Sequence, residues 1–250
     1  MKYSILMPYF KRHQQLKNTL LSFLHHYKIR RDYEVILIED IKNINDIEEH
    51  KKLKRVISEF RSEIPIIYLK ADLNYLSNQV IAFNIGARNA KGEYLVVTNP
   101  ECSHQSNILA GFDTLLNEKK DVYIVCACKF LLKDKKNRQE LEKHFPRLLW
   151  YQHSRYRNKL YHFCSCLSKD QFISIGGFDE HYKNGVGYDD DDFREKVRFA
   201  SILIIAADDL IVLHQEHEKS YKGSFKNETN EMATNRKYYE RKWKEIMLNN

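Results

Sequence analysis

Residues 3–40 read YSILMPYFKRHQQLKNTLLSFLHHYKIRRDYEVILIED, and their pattern indicates the fold class of the whole chain. An apolar run from Tyr3 to Met7 stops at Pro8, which is typical of a short strand. Apolar residues then recur at helical spacing: Leu16, Leu20, Phe23, Leu24 and Tyr27. A second apolar run, rich in β-branched residues, covers residues 33–38. The stretch therefore predicts a strand, a helix and a second strand.

The same alternation continues to residue 98. We expect a charged helix over residues 46–61, a strand over 64–69, a helix over 77–90 and a strand over 94–98. Strands that are apolar on both faces favour an α/β fold, with a mainly parallel sheet covered by helices. Ligands bind such sheets at the carboxyl ends of the strands, which points to the loops at 8–13, 39–43 and 99–104.

The second half of the chain has a less regular pattern. It predicts a helix over residues 107–117, strands over 122–128, 163–167, 202–206 and 210–214, and a basic helix from about Glu231. Residues 131–161 are charged and aromatic without a clean period, and we expect a mobile excursion over the sheet. We predict one domain over residues 1–217, with halves at 1–105 and 106–217, and a basic helical extension at 218–250.

Composition restricts the class of partner. The 250 residues carry 41 Lys and Arg against 34 Asp and Glu, a net charge of +7. This excess favours nucleotide phosphates, nucleic acid or an acidic membrane surface, although most of the basic residues alternate with polar ones, as on solvated faces. The N-terminus resembles neither a signal peptide nor an anchor. The longest later apolar run, SILIIAADDLIVL, contains two aspartates and is too short to span a bilayer, so we expect a cytoplasmic protein.

The five cysteines include the pairs CAC (Cys126, Cys128) and CSC (Cys164, Cys166). An odd number without a secretory signal indicates reduced thiols and no disulfide framework. Two such pairs could build a four-thiolate zinc site. Both lie in apolar, strand-like segments, which favours buried core thiols.

The densest chemistry lies in GGFDEHYKNGVGYDDDDFREKVR, residues 176–198. Four successive carboxylates raise one another's free energy unless a cation or hydrogen-bond donors compensate them. Acidic residues at the start of a surface helix are one explanation, because the helix dipole favours them there. The glycine-aromatic loop before the aspartates favours a ligand site, since glycine lets the backbone approach a ligand closely.

This stretch resembles the acceptor-side motif of family 2 glycosyltransferases. GVGYDDDDF is especially similar to the β-1,4-galactosyltransferase and chondroitin-polymerase groups. The resemblance implies an inverting transfer in which Asp190 is the general base. It also implies four acceptor-binding residues: Gly187, Tyr188, Asp189 and Asp191.

The N-terminal half is similar to the same family. PYFKRHQQLKNTLLSFL (8–24) resembles its first strand, nucleotide loop and helix, and FNIGARNAKGEYLVV (83–97) resembles the unit that precedes its metal motif. The resemblance covers residues 3–217, except 131–161. It implies the GT-A fold, with the donor bound by residues 1–105 and the acceptor by 106–217. The implied donor-binding residues are Pro8, Tyr9, Arg12, Glu39, Asp40, Asn84 and Asn99.

The chain departs from the family at one place. Where the family has Asp-x-Asp at the end of the fourth strand, this chain has Asn99-Pro100-Glu101. The resemblance then implies Glu101 and His214 as ligands of a divalent cation, Mn²⁺ or Mg²⁺. Two alternatives remain: Lys11 or Arg12 neutralises the leaving diphosphate without metal, or the chain is a pseudoenzyme that binds a sugar nucleotide.

The resemblance implies a UDP-sugar donor, of galactose or N-acetylgalactosamine, and a glycan or lipid-linked glycan acceptor. A nucleotidyltransferase would need a glycine-rich phosphate loop, which PYFKRHQQ lacks. A nucleic-acid-binding module fits the charge and the aromatic-basic residues 150–161, but the four aspartates oppose it. The basic C-terminal helix could contact the inner face of a membrane peripherally or pack on the domain, and packing is the favoured interpretation.

Overall fold

The computed structural model describes residues 1–71, 79–131, 135–144, 146–217 and 229–248. Its strands are β1 (Tyr3–Tyr9), β2 (Tyr33–Asp40), β3 (Ile66–Ala71), β4 (Tyr94–Thr98), β5 (Cys102–His104), β6 (Val122–Leu131), β7 (Trp150–Gln152), β8 (Cys164–Ser168) and β9 (Leu203–Gln215). Its helices are α1 (His13–Tyr27), α2 (Ile41–Asn45), α3 (Ile47–Phe60), α4 (Val80–Asn89), α5 (Ile108–Glu118), α6 (Lys135–His144), α7 (Lys169–Ser174), α8 (Asp189–Phe199) and α9 (Asn230–Leu248). Short 3₁₀ turns cover Pro146–Leu149 and Glu180–Asn184.

The strands form one sheet in the order β3-β2-β1-β4-β8-β6-β9-β5, with β7 on β6. From β3 to β4 every pairing is parallel, as predicted for the first half of the chain. In the second half, β8 runs antiparallel to both β4 and β6, and β5 runs antiparallel to β9. The α/β sheet covered by helices is therefore confirmed, and its second half mixes these antiparallel pairings with the parallel pairing of β6 and β9.

Two apolar clusters cover the two faces of the sheet. Along β1, Ile5 and Met7 belong to one cluster and Leu6 to the other, because successive side chains of a strand point to opposite faces. The apolar stripe of α1 packs into the first cluster through Leu16, Leu20, Phe23 and Tyr27. Helix α4 packs into the second cluster. This two-sided burial explains why the strands read as continuous apolar runs.

Several helices begin at a side chain that satisfies free backbone N–H groups. Asp46 accepts a hydrogen bond from Glu49 N at the start of α3, and Asn107 accepts one from Ala110 N at the start of α5. Ser168 and Gln171 form a reciprocal capping box at α7. The predicted helix over 77–90 is observed as α4, although its first expected residues, 77 and 78, lie outside the described part of the chain.

The predicted strands 202–206 and 210–214 are wrong as separate strands, because the structure has the single strand β9. Cys126 pairs with Ala207 and the next residue, Ala127, pairs with Ile211, so residues 208–210 form a bulge. Asp208 lies in that bulge and accepts a hydrogen bond from Ser154 N at 2.9 Å. The polar residues that suggested a turn are thus accommodated within a continuous strand.

The described residues of 131–161, which were expected to form a mobile excursion over the sheet, include α6, a 3₁₀ turn and β7, and their mobility stays a prediction. Strand β7 joins the sheet through the pairing of Gln152 with Cys128. Beyond it, His153 and Arg157 form an antiparallel bridge, and the ring of Tyr156 stacks on Trp150 with an interplanar angle of 10°. Aromatic side chains that gave no periodic signal therefore pack against one another.

All five cysteines are free and buried, on β5, β6 and β8. The two groups of described side chains with metal-binding geometry contain no cysteine. The CAC and CSC pairs are therefore core thiols, as the apolar strand pattern predicts, because alternate residues of a strand share a face.

Helix α9 packs against the rest of the chain and buries Met232, Asn235 and Trp243. Its exposed positions carry both signs of charge: Lys237, Glu240, Arg241, Lys244 and Glu245. The structure thus favours the packing interpretation over a basic membrane-facing helix. Among the described residues, no helix has both the length and the apolar character needed to cross a bilayer. The proposed division at residue 217 stays a prediction, and residues 218–228 lie outside the described chain.

Candidate active site

The loops after β1 and β2 lie at the same edge of the sheet. Tyr9 pairs in parallel with Glu39, so both strands end together. Lys11 N donates a hydrogen bond to Asn43 Oδ1 at 3.0 Å, and Lys11 Nζ lies 2.9 Å from Asp46 Oδ2. These contacts hold the two loops together. They also pair the ammonium of Lys11 with the carboxylate of Asp46.

The residues predicted to bind the donor from the first loop occupy different environments. Pro8 is half-buried at the end of β1, and the ring of Tyr9 is buried in the core. Arg12 lies close enough to Glu101 to lower the pKa of that carboxyl, and close enough to His214 to lower the pKa of that imidazole. Arg12 is therefore the residue of this loop that the structure brings to the end of β4.

The acidic pair at the end of β2 divides into two roles. Glu39 is fully buried, and its carboxylate accepts hydrogen bonds from Asn43 Nδ2 and Tyr68 Oη and contacts His50 Nδ1 at 2.9 Å. Asp40 is half-buried and accepts a hydrogen bond from Lys42 N at the start of α2. Burial raises the pKa of Asp40. Of the two predicted donor-binding residues, Asp40 is the one whose side chain remains accessible.

Asn84 lies on α4, and its predicted contact with the donor has a competing structural role. Its Nδ2 donates to Phe178 O and to Glu180 Oε1, and its Oδ1 accepts from Phe178 N at 2.9 Å. The side chain therefore fixes the GGFDE turn against α4. Its role in donor binding stays a prediction.

Asn99 and Glu101 lie in the turn that follows β4. Cys102 N donates to Asn99 O at 3.0 Å, which closes the turn, and Asn99 Oδ1 is buried without a hydrogen-bond partner among the described residues. Strand β5 then pairs with β9, placing Cys102 opposite His214. This pairing brings residues from two distant parts of the chain together at the end of β4.

Glu101, His214 and His217 form a group with metal-binding geometry, in which one ligand atom from each lies within 4.8 Å of the others. Glu101 Oε1 is 3.8 Å from His214 Nε2 and 3.5 Å from His217 Nε2. The structure thus brings together Glu101 and His214, the two predicted metal ligands, and their role as ligands stays a prediction. His217 was missed, although its spacing of three residues from His214 in LHQEH was an available signal.

The electrostatics of this group suit a divalent cation. Burial raises the pKa of Glu101, but His217, His214 and Arg12 outweigh it, so the pKa lies below its ordinary value. Burial lowers the pKa of His214 to about 4. At neutral pH the group therefore offers a carboxylate and a neutral imidazole, the protonation states that metal binding requires. One oxygen and two nitrogen ligands fit Mn²⁺ better than Mg²⁺.

Asp190 lies in the first turn of α8, two residues after Tyr188, whose φ of 66° is in the left-handed region. Its Oδ1 is 2.8 Å from Nδ1 of His162, a buried residue that sequence inspection missed because a lone histidine carries no pattern. His162 lies two residues before Cys164, which pairs with Thr98 at the end of β4. Asp190 is therefore at the same edge of the sheet as Asn99 and Glu101.

The neighbouring aspartates are compensated in different ways, as their mutual repulsion requires. Asp191 Oδ1 is 2.9 Å from Arg194, and Asp191 also accepts a hydrogen bond from Tyr161 Oη. Asp192 is buried, with Lys242 Nζ at 2.7 Å. Asp189 lies within 4.8 Å of both His162 and Asp190 by its ligand atoms. Asp191 and Asp192 thus have cationic partners, and Asp189 and Asp190 group around the imidazole.

The predicted acceptor loop rests on α9. Gly187, with a φ of 73°, accepts a hydrogen bond from Asn235 Nδ2 at 2.9 Å. The ring of Tyr188 lies 5.6 Å from that of Tyr239. Helix α9 therefore contacts both Gly187 and Tyr188. No sequence pattern predicts the contact between residues 187 and 235, because they lie far apart in the chain.

Aromatic rings connect the acidic cluster to the histidine group. Tyr161, which donates to Asp191, lies 6.5 Å from Phe163 by ring centroids, and Phe163 lies 5.7 Å from His214. Tyr151 packs on His214 from β7 with a centroid distance of 4.6 Å. Residues 151–163 therefore form a wall that joins the two groups into one candidate site.

Comparisons with known proteins agree with this geometry. A family model described as "Glycosyl transferase family 2" matches residues 4–169, and one described as "N-terminal domain of galactosyltransferase" matches residues 148–218. The second match covers the wall and the acidic cluster. A search of curated protein sequences finds no match.

Solved structures share the fold at low sequence identity. Staphylococcus aureus TarS 1–349 in complex with UDP-GlcNAc has 12% identity and a TM-score of 0.68 over 88% of this chain and 60% of that one. The Pyrobaculum calidifontis mannosyltransferase PcManGT, in complex with GDP-Man and Mn²⁺, has 14% identity and a TM-score of 0.60 over 85% and 56%. This chain thus spans about 60% of the TarS 1–349 structures. The similarity confirms the predicted GT-A fold.

Proposed function

The chain belongs to glycosyl transferase family 2, and from that membership we propose that it transfers a sugar from a UDP-sugar to an acceptor hydroxyl, with inversion at the anomeric carbon. The observation that carries this proposal is the position of Asp190 and of the Glu101–His214–His217 group at one edge of the sheet. A base for the acceptor and a cationic site for the leaving diphosphate are the two groups that such a transfer needs.

The donor binds at the ends of β1, β2 and β4. A uridine nucleotide is supported by TarS structures with UDP and UDP-GlcNAc, whereas PcManGT carries GDP-Man. Asp40 contacts the nucleoside in this proposal, which is supported by its position at the end of β2 and by its partly exposed side chain. Asn99 Oδ1, buried without a partner among the described residues, accepts a hydrogen bond from a ribose hydroxyl or a metal-bound water. Galactose or N-acetylgalactosamine as the sugar rests on the resemblance of GVGYDDDDF alone.

Glu101, His214 and His217 would hold the divalent cation, and Mn²⁺ is the ion that their donor set favours. When bound, such an ion neutralises the charge that develops on the leaving diphosphate. Arg12 adds a fixed positive charge beside the same carboxylate. The alternative of neutralisation by basic residues alone assigns this work to Arg12, because Lys11 is paired with Asp46.

Asp190 acts as the general base. The acceptor oxygen forms a bond to the anomeric carbon while the bond from that carbon to the diphosphate oxygen breaks, and its electron pair leaves with the diphosphate. Asp190 takes the acceptor proton as the oxygen attacks. Because attack and departure occur on opposite faces in one displacement, the product is inverted.

Gly187, Tyr188 and Asp189 bind the acceptor, and Asp191 holds the wall beside it through Tyr161 and Arg194. We propose a glycan or lipid-linked glycan as the acceptor class, in polysaccharide or glycoconjugate synthesis, and a cytoplasmic location. Peripheral membrane contact through α9 has little support, because its exposed residues carry both charge signs.

A pseudoenzyme that binds a sugar nucleotide is the second candidate. A protein that only binds a sugar nucleotide needs no general base with a fixed orientation. The contact between Asp190 and His162 at 2.8 Å therefore favours an active transferase over a pseudoenzyme. A nucleic-acid-binding module is disfavoured because the four successive aspartates, Asp189 to Asp192, would repel a phosphate backbone.

The test combines binding and transfer. Calorimetry with UDP and UDP-sugars, with Mn²⁺ or EDTA, identifies the donor and its metal requirement, and product analysis gives the anomeric configuration. Asp190→Asn should abolish transfer and leave UDP binding intact. Asp170→Asn, an exposed acid on α7 at the opposite edge of the sheet, is the matched control and should transfer normally. Full activity in Asp190→Asn would refute the assignment.

A further inference from the structure

His162 has an unusual environment for a residue next to a general base. Its imidazole is buried and contacted at ring edges by Phe83, Phe178 and Phe193, with centroid distances of 5.3, 4.8 and 6.3 Å. These rings come from α4, the GGFDE turn and α8. Close packing on several sides fixes the plane of the imidazole, so the direction of Nδ1 is set before any substrate binds.

The contact between His162 and Asp190 is asymmetric. The side chain of His162 is 6% exposed and that of Asp190 is 30% exposed, so the carboxylate is the member that a substrate can reach. Because Nδ1 contacts Oδ1 at 2.8 Å, the other carboxylate oxygen, Oδ2, is left to take a proton.

On the basis of the function proposed above, we propose that His162 is a positioning residue for Asp190. It donates its Nδ1–H to Oδ1 and holds the carboxylate so that Oδ2 meets the acceptor hydroxyl. A base held within hydrogen-bond reach avoids the loss of orientation that a freely rotating carboxylate incurs. The proton taken from the acceptor resides on Asp190 and leaves to solvent with the product, and His162 forms no covalent bond.

The charges around the imidazole agree with this role. Burial lowers the pKa of His162, but the charge and hydrogen bond of Asp190 and the charge of Asp189 outweigh it, so the pKa is raised. Among the described residues, the charges that shift this pKa are those of Asp190 and Asp189 on α8, whereas α4 and the GGFDE turn contribute phenyl rings. An imidazole with cationic character donates a stronger hydrogen bond to the carboxylate than a neutral one, which strengthens its hold on the orientation of Asp190.

A pair of substitutions separates positioning from packing. His162→Leu fills a similar volume without a donor, and His162→Asn carries an amide nitrogen near the place of Nδ1. We expect His162→Leu to lower kcat about 100-fold, the scale expected for a misplaced catalytic group. The kcat of His162→Asn should be about tenfold higher than that of His162→Leu. The KM for donor and the affinity for UDP should stay unchanged in both variants.

The split between kcat and KM, together with the partial rescue by asparagine, is the readout that packing alone would not give. A packing defect would also change the affinity for UDP or the stability, whereas loss of a positioning donor lowers kcat alone. If the leucine variant does not fold, His162→Phe, which keeps an aromatic ring between the phenylalanines, replaces it. A donor-free variant that folds and turns over at the wild-type rate overturns the proposal.

The two proposals fail in distinguishable ways. Transfer that survives Asp190→Asn refutes the assignment of the base and therefore the proposed mechanism. Transfer that is lost in Asp190→Asn but survives at full rate in His162→Leu refutes only the role of His162.

Discussion

Lys242 Nζ lies 2.7 Å from Asp192 Oδ1, which joins the C-terminal helix to the first turn of the helix that carries Asp190. The same ammonium lies 2.7 Å from Asp179 Oδ2. Trp243 Nε1 donates to Asp192 Oδ1 at 2.9 Å. Helix α9 therefore neutralises the most buried member of the acidic cluster, and it contributes to the candidate site although it contains none of the predicted site residues.

Removing the charge of Lys242 should destabilise the protein. Asp192 is 1% exposed, and deleting Lys242 leaves this buried carboxylate with the more distant ammonium of Lys196, at 4.0 Å, as its nearest described cation. We expect Lys242→Met to reduce the free energy of unfolding by about 3 kcal/mol, measured by urea denaturation. Lys237→Met, at an exposed position of α9, is the control and should change stability by less than about 0.5 kcal/mol. Equal effects of the two substitutions would contradict the inferred contact.

The ion pair between Lys242 and Asp179 predicts how stability depends on pH. Burial raises the pKa of Asp179, but hydrogen bonds from Lys242 and His181 outweigh it, so the pKa lies well below its ordinary value. A carboxyl whose pKa is depressed on folding stabilises the protein above its unfolded pKa, about 3.9, and loses that contribution as the pH falls further. Urea unfolding between pH 3 and pH 7 should show wild-type stability falling at the acid end. The decline should be shallower in Lys242→Met, and identical slopes would argue against the pair.

Features that depend on neighbouring residues could be predicted from the sequence, and features that depend on contacts between distant segments could not. The strands and helices of residues 3–98 follow from local periodicity, and the motif around Asp190 is contiguous in sequence. Strand β5 was missed because three residues, Cys102–His104, carry no period of their own, and the strand exists only through pairing with β9 about 110 residues later. The contacts of Asp190 with His162 and of Asp192 with Lys242 also join distant segments, so no local pattern could predict them.

The histidine group predicts a specific metal dependence. In the proposed function, Glu101, His214 and His217 take the place of the two carboxylates of Asp-x-Asp, so removing one imidazole should weaken cation binding without disturbing the acidic cluster. We expect His217→Ala to raise the Mn²⁺ concentration for half-maximal transfer at least about tenfold. His144→Ala, at an exposed position of α6, serves as the control. Transfer that resists EDTA in both variants would instead favour neutralisation by Arg12.

Asn235 should affect the acceptor and not the donor. Its side chain is 3% exposed, and its Nδ2 donates to Gly187 O at 2.9 Å and to Tyr182 O at 3.4 Å, so it ties the glycine-aromatic loop, residues 185–188, to the 3₁₀ turn Glu180–Asn184 that precedes it. Asn235→Ala leaves these carbonyls without their donor and frees the loop, which must then be ordered by the acceptor itself.

The expected result of Asn235→Ala is a KM for the acceptor that rises about tenfold, the equivalent of one lost hydrogen bond of about 1.4 kcal/mol, with an unchanged affinity for UDP. Steady-state kinetics with the acceptor varied at saturating donor measures the first quantity, and calorimetry measures the second. Asn230→Ala, at the exposed start of the same helix, should behave as wild type. In the proposed function, the donor and acceptor groups lie at opposite ends of the aromatic wall. A parallel loss of UDP affinity in Asn235→Ala would mean that the loop also shapes the nucleotide site, which would contradict this division of roles.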